Sequence, residues 1–238
     1  MAPPLTMDER MSREIMELDE RLSLAAALYE PCALGADIGT DHGLLPCHLL
    51  ESNACARMIL ADVSPKALRH AEEQVRARHL EARARLVCAD GLDALTEPCG
   101  CVSIMGMGGE TLADILRRGR DRLHGAVLVL SAHTEQPLVR KAVRDIGYHF
   151  TREALCKAAG RFYLFWRAEP GEAALSEEAI RYGSLLWGDD TPLLREYRQH
   201  RIEFIQSKLA GLASAATPDQ AAIDNARRDL DWYLAKEV

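Results

Sequence analysis

The chain has no apolar run near the roughly 20 residues that a bilayer-spanning helix needs. Its first residues, Met1-Ala2-Pro3-Pro4-Leu5-Thr6, carry neither the basic nor the apolar stretch of a secretory signal. The expected location is therefore the cytoplasm, with no membrane partner. A phosphate loop of the form G-x-x-x-x-G-K-[ST] is missing, as are internal repeats and low-complexity tracts. Seven cysteines are present, but only Cys99-x-Cys101 is a close pair, and no second cluster completes a zinc site. The expectation is buried, reduced thiols and no metal. An excess of positive charge is lacking too. The net charge of −7 excludes a protein that coats nucleic acid generally. A local basic face stays open, because arginines cluster as Arg76, Arg78, Arg83, Arg85, as Arg117, Arg118, Arg120, Arg122, and as Arg195, Arg198, Arg201. For any one cluster, the solvated face of a helix is the simpler account.

With 238 residues, 48% of them hydrophobic and 27% charged, the chain can build one large α/β domain, or such a domain with a small appendage. Its most informative stretch is Ala36-Asp37-Ile38-Gly39-Thr40-Asp41-His42-Gly43. An apolar lead precedes it, Cys32-Ala33-Leu34-Gly35, and a helical pattern follows from Leu44. Strand, glycine turn and helix form the nucleoside-binding corner of an open α/β sheet. The pattern is D-x-G-x-D-x-G. In a dinucleotide fold, G-x-G-x-x-G would bring a phosphate to the place where Asp41 stands. A carboxylate repels a pyrophosphate but tolerates a cation, such as the sulfonium or amino group of S-adenosylmethionine (SAM). The corner therefore favours a methyltransferase over a dehydrogenase. An ordinary turn with no ligand is the plain alternative.

Read in order, the chain alternates. Thr6-x-x-Glu9 is a capping box that would start a helix over 6–18, and Asp19 would cap a second over 20–29. Arg21 projects from that second helix. A strand over 57–63 ends in Asp62 and Val63, and an acid at such a tip can accept hydrogen bonds from ribose hydroxyls. Ser64-Pro65 opens the next helix. A third strand, 84–89, ends in Asp90-Gly91, with Asp90 placed to meet an adenine amino group. A fourth, 100–105, runs into Gly106-Met107-Gly108-Gly109, glycines that leave room where cofactor and substrate would meet. A fifth, 125–130, leads into Ser131-Ala132-His133. Two strands around Gly160 would close an antiparallel edge. His133 alone is more simply scaffolding than a base. Glu169-Pro170-Gly171-Glu172 reads as a boundary, giving domains 1–170 and 171–238. Beyond it, helical seams over 192–212 and from 217 onward form an antiparallel hairpin, which would dimerise, pack on the core or meet RNA. Monomer and homodimer both remain open.

At this point the chain resembles a known family, the bacterial tRNA (adenine-N1)-methyltransferases that act on adenosine 22 in the D-arm. The marks run the length of the chain: Arg21-Leu22, the D-I-G-T-D-H-G-L-L-P run from Asp37 to Pro46, Asp90-Gly91-Leu92, Gly106-Met107-Gly108-Gly109, Gly160-Arg161-Phe162-Tyr163, and the helical tail. The resemblance implies a class I, Rossmann-like α/β methyltransferase fold with a mainly parallel sheet, an antiparallel edge and a C-terminal helical hairpin. It implies SAM as cofactor and tRNA as partner. Asp41 would be the acid most important for catalysis, and Arg21 a substrate contact or an orienter of Asp41. Asp37, Gly39, Asp41, His42, Asp62, Val63, Asp90, Gly91, Gly106, Met107 and Gly108 would line the cofactor. Two positions depart from the family: Asp62 stands where a glutamate is common, and Leu130-Ser131-Ala132-His133 replaces L-Q-P-N. A small-molecule methyltransferase, or a non-catalytic RNA-binding protein on the same scaffold, is the alternative.

Overall fold

The computed structural model describes residues 15–215, 217 and 219–236. The helix expected over 6–18 falls mainly outside them, and residues 15–19 are not helical. One sheet of seven strands carries the first part of the chain. The strands are β1 (Cys32–Ile38), β2 (Cys55–Asp62), β3 (Ala84–Cys88), β4 (Cys101–Met107), β5 (Val127–Ala132), β6 (Tyr148–Ala158) and β7 (Arg161–Pro170), in the order β3-β2-β1-β4-β5-β7-β6. The first five pair in parallel; β7 runs antiparallel to both β5 and β6. β1 lies between two strands under helices. Such a strand is buried on both faces and reads as an almost unbroken apolar run, as Cys-Ala-Leu-Gly-Ala-Asp-Ile does.

Helices α1 (Glu20–Ala27), α2 (Leu44–Glu51), α3 (Pro65–Ala77), α4 (Gly109–Gly119), α5 (Gln136–Asp145) and α6 (Glu177–Tyr182) pack with the sheet. Local chemistry sets their starts. Asp19 accepts the Leu22 N–H at 2.9 Å, and Ser64 accepts the Ala67 N–H at 3.3 Å with Pro65 in the first turn. Such caps contribute about 1 kcal/mol each. Leu28, Leu45, Leu49, Leu50, Met58, Leu60 and Val75 fill one layer of the core.

A buried polar knot closes the other end of the sheet. Arg140 on α5 and Glu153 on β6 form an ion pair at 3.1 Å, each side chain 2% exposed. The Trp166 indole N–H donates to the same Glu153 oxygen at 2.7 Å, and Arg140 also donates to the Ile180 carbonyl at 3.3 Å. α6 is thereby tied to the sheet. The chain divides into compact units Met1–Tyr182 and Gly183–Val238, so the first unit runs past the turn at 169–172.

The second unit contains α7 (Pro192–Ala213) and α8 (Gln220–Ala235). Ile202 and Ile205 are buried from one helix, and Ile223, Ala226 and Tyr233 from the other. Trp187 meets Trp232 edge-on at 5.2 Å between centroids. Arg195, Arg198 and Arg201 each find partners within this unit, although Arg195 stays exposed. Arg195 pairs with Asp190 at 2.6 Å, Arg198 donates to the Tyr233 and Leu234 carbonyls, and Arg201 lies over the Phe204 and Tyr233 rings. The other two clusters are paired surfaces also, with Arg76 on Glu72, Arg78 on Glu51, Arg118 on Asp90 and Asp114, and Arg122 on Asp93. Thiols are not uniformly buried: Cys88 is exposed, and Cys32 and Cys156 are half-buried.

Candidate active site

Reading outward from β1, the chain passes to β2 and β3 on one side and to β4 and β5 on the other. This reversal opens a crevice at the carboxyl ends of β1 and β4, where open α/β sheets bind ligands. A pocket of about 200 Å³ occupies it. β1 and its turn contribute Asp37, Gly39, Thr40, Asp41 and His42; β4 contributes Met105 and Gly106. β5 contributes Ser131, and β7 contributes Tyr163 and Phe165. Ser131 was expected in a loop. It lies in β5 because that strand runs on to Ala132, paired with Met107, and the His133 N–H donates to the Met107 carbonyl at 3.0 Å.

Asp37 forms the floor. It is 5% exposed and has no ion-pair partner among the described residues. Ser103 donates to its Oδ1 at 2.5 Å, and Tyr29 in turn donates to the Ser103 hydroxyl at 2.5 Å. Burial raises the Asp37 pKa above its ordinary value, while the Ser103 and Thr40 hydroxyls pull it back. Thr40 stands close enough to act on Asp37 electrostatically, yet its buried hydroxyl completes no well-formed hydrogen bond.

Asp41 stands at the mouth. The Gly43 N–H donates to the Thr40 carbonyl at 2.8 Å, closing a tight turn that holds Asp41 at φ 41°. Aspartate tolerates this left-handed region better than most residues. The turn leaves the Asp41 side chain 66% exposed, with Oδ2 3.4 Å from His42 Nε2. Opposite, Gly106 has φ 76°, and nothing lies within 4 Å of where its Cβ would be. That glycine therefore keeps open space, as expected. Gly109 serves a different end, since a Cβ there would collide with the Thr134 and Glu135 carbonyls.

Leu22, Leu44, Leu45, Met105 and Phe165 make the walls apolar. Arg21 reaches the pocket, but its guanidinium is held by Asp19 at 2.6 Å and lies 5.1 Å over the Tyr163 ring. Arg21 therefore meets Asp19 and Tyr163, and no ion pair joins it to Asp41 among the described residues. His133 lines the pocket and meets Tyr163 edge-on at 6.1 Å.

The remaining named residues lie along the same sheet edge, outside this pocket. The Ser64 N–H takes Asp62 Oδ1 at 2.7 Å, so Oδ2 is the oxygen left over. Val63 is exposed. Asp90 is exposed and paired with Arg118 at 3.0 Å. Gly91, at φ 55°, faces Ile115, and Met107 and Gly108 lead into α4. Tyr29, Thr40, Ser103, Met105 and Phe165 went unnoticed as site residues in the sequence. Ser103 left a trace there, as the lone hydroxyl in the apolar run Val102-Ser103-Ile104-Met105.

A buried carboxylate without a counter-charge, beside an unsatisfied hydroxyl, suits a ligand bearing a cationic group. Comparison with known proteins agrees with that chemistry. A curated relative from Bacillus subtilis (strain 168), a tRNA (adenine(22)-N(1))-methyltransferase, is 27% identical over 167 residues, covering 69% of this chain and 70% of its own. A Streptococcus pneumoniae structure in complex with S-adenosyl-L-methionine superposes with a TM-score of 0.79 at 26% identity, over 90% of this chain and 100% of that one. The fold is shared with the B. subtilis tRNA methyltransferase TrmK, at TM-score 0.82 and 22% identity, over 93% of this chain and 98% of that one. The family model described as "Methyltransferase domain" matches residues 18–165, which takes in the whole pocket, and the chain belongs to that methyltransferase family.

Proposed function

We propose that this chain transfers a methyl group from SAM to N1 of adenosine 22 in the D-arm of tRNA. The observation that carries this reading is the pairing of two carboxylates in one pocket: Asp37 buried at the floor and Asp41 presented at the mouth. The B. subtilis relative bears the name of that activity, and the S. pneumoniae relative was solved with SAM.

SAM, when bound, supplies an electrophilic methyl group on a sulfonium. The residues present fit it, because Asp37 lacks a cation and Thr40 lacks a hydrogen-bond acceptor. Asp37 and Thr40 would hold the amino-acid portion, with Gly39, His42 and Gly106 around it. Asp62, through Oδ2, would accept from ribose hydroxyls beside Val63. Asp90 would meet the adenine amine once Arg118 gives way, with Gly91, Met107 and Gly108 close by. The Asp90–Arg118 pair is exposed, and such pairs contribute only about 0–1 kcal/mol.

N1 of adenine carries its own lone pair, so no strong base is needed to begin. The protein must align that lone pair and exclude water, and the walls of Leu22, Leu44, Leu45, Met105 and Phe165 do the second. Methylation places positive charge on the ring. Asp41 stabilises that charge and accepts a proton from the exocyclic amine. The Tyr163 ring with Arg21 across it offers a flat face on which an extruded base can stack. The phosphates would meet exposed cations such as Lys66 and Arg69 on α3 and Arg161 at the β6–β7 turn.

The test is transfer of labelled methyl from SAM to bulk tRNA lacking the modification, followed by nucleoside analysis. N1-methyladenosine is the expected product. Transfer to small molecules but not to tRNA would overturn the reading.

A further inference from the structure

At the mouth of the pocket Asp41 and His42 meet a third side chain, His70, to which methyl transfer gives no part. Asp41 and His42 leave the β1 turn together, and His70 on α3 faces them. One donor atom from each of the three lies within 4.8 Å of the others. The His42 and His70 rings are nearly parallel, 6° between planes, with centroids 5.1 Å apart. His70 Nδ1 is buried and has no hydrogen-bond partner. From these contacts we infer that Asp41, His42 and His70 form a binding site for a divalent late transition metal, Zn2+ first among them, at the entrance to the pocket.

Geometry supports the inference. With ligand bonds of about 2.1 Å, two donors of a tetrahedral zinc site stand about 3.4 Å apart. Asp41 Oδ2 and His42 Nε2 stand 3.4 Å apart already. The metal must lie in the plane of each imidazole, so the parallel rings have to turn, and His42, 58% exposed, has the room to do so. Two imidazoles and one carboxylate suit Zn2+, Ni2+ or Cu2+ far better than Mg2+ or Ca2+, which prefer oxygen donors. Three protein ligands leave one position for water. The orphaned Nδ1 of His70 adds an independent sign, because a buried ring nitrogen without a partner is costly unless something fills that place.

The consequence for catalysis rests on the reading of Asp41 given above. A dication held by Asp41 engages the carboxylate and places positive charge where the adenine ring acquires its own. Bound metal therefore inhibits methyl transfer. The site is a point of control by metal, and the metal itself takes no part in the reaction.

The test uses the full chain freed of metal with a chelator. Zn2+ titration by calorimetry should show one site. Co2+, substituted as a spectroscopic probe, should give visible ligand-field bands without the near-ultraviolet charge-transfer band that thiolate ligands produce. His70→Gln should weaken Zn2+ binding at least about tenfold. The same variant should methylate tRNA normally without zinc and should resist inhibition at zinc concentrations that silence the parent. His42→Gln should repeat the binding loss. Thiolate charge transfer, unchanged affinity in both variants, or no binding would overturn the site. Histidine-dependent Co2+ binding in a protein that does not methylate tRNA would keep the site and overturn the catalytic reading instead.

Discussion

Replacing Asp37 with asparagine separates a ligand-binding carboxylate from a structural one. The side chain is 5% exposed and faces hydroxyls, with no cation paired to it among the described residues. Asparagine keeps an oxygen for the Ser103 hydroxyl, so the hydrogen bond at Oδ1 survives while the charge goes. Burial is the largest cause of the raised Asp37 pKa. The protonated form is therefore favoured by folding. Its contribution to stability is complete below the ordinary value of 3.8 and is lost as pH rises through the raised value. Above that raised value the free protein carries a buried charge with no cation beside it, and Asp37→Asn removes it. The expected gain is on the order of 1 kcal/mol, or roughly 2–4 °C in Tm for a chain of this size. The gap between variant and parent should widen from pH 4 to pH 7. SAM binding should move the opposite way. Loss of a charge-assisted hydrogen bond is worth about 1.5–3 kcal/mol, or about 10- to 150-fold in Kd. The parent's affinity should also fall as pH drops through the raised Asp37 pKa, and the variant's should not. Thermal unfolding across pH and calorimetry with SAM read both effects. A variant that is less stable yet binds SAM as tightly as the parent would refute the reasoning and make Asp37 a purely structural hub.

Other expectations concern separate parts of the molecule. Asp41→Asn should leave SAM affinity within about tenfold, ~1.4 kcal/mol, while most turnover disappears; equal turnover in single-turnover kinetics would remove Asp41 from the chemistry. Asp62→Ala should weaken SAM binding, and unchanged affinity by calorimetry would end its ribose role. Arg140→Ala should cost about 3–5 kcal/mol in chemical denaturation, because it removes the guanidinium that faces the buried Glu153 carboxylate; a loss below 1 kcal/mol would show that the knot relaxes.

Much of this architecture was legible in the sequence, and the reasons are local. The run from Cys32 to Ile38 is apolar because its strand is covered on both faces, and Asp19 and Ser64 announce their helices through hydroxyl and carboxylate caps. Asp41 stood out because it falls in a glycine turn. What escaped notice depends on distance along the chain. Tyr29 and Ser103 are 74 positions apart, and only the folded sheet joins them beneath Asp37. Arginine clusters looked like candidate basic faces, but their acid partners lie elsewhere: Arg118 takes Asp90 and Arg78 takes Glu51. The apolar run predicts that β5 ends at Leu130, yet the strand continues to Ala132. Pairing across to Met107 holds it in the strand. His70 carried no signal at all until α3 brought it against His42.

The most direct measurement is mapping of the methylated position on a single unmodified tRNA transcript with an adenosine at position 22. Primer extension stops at N1-methyladenosine, so the site and the product are read together. The account predicts an arrest at position 22 with the parent protein and SAM, none when that adenosine is changed to guanosine, and almost none with Asp41→Asn. An arrest at another adenosine, or an undiminished arrest with Asp41→Asn, would contradict it.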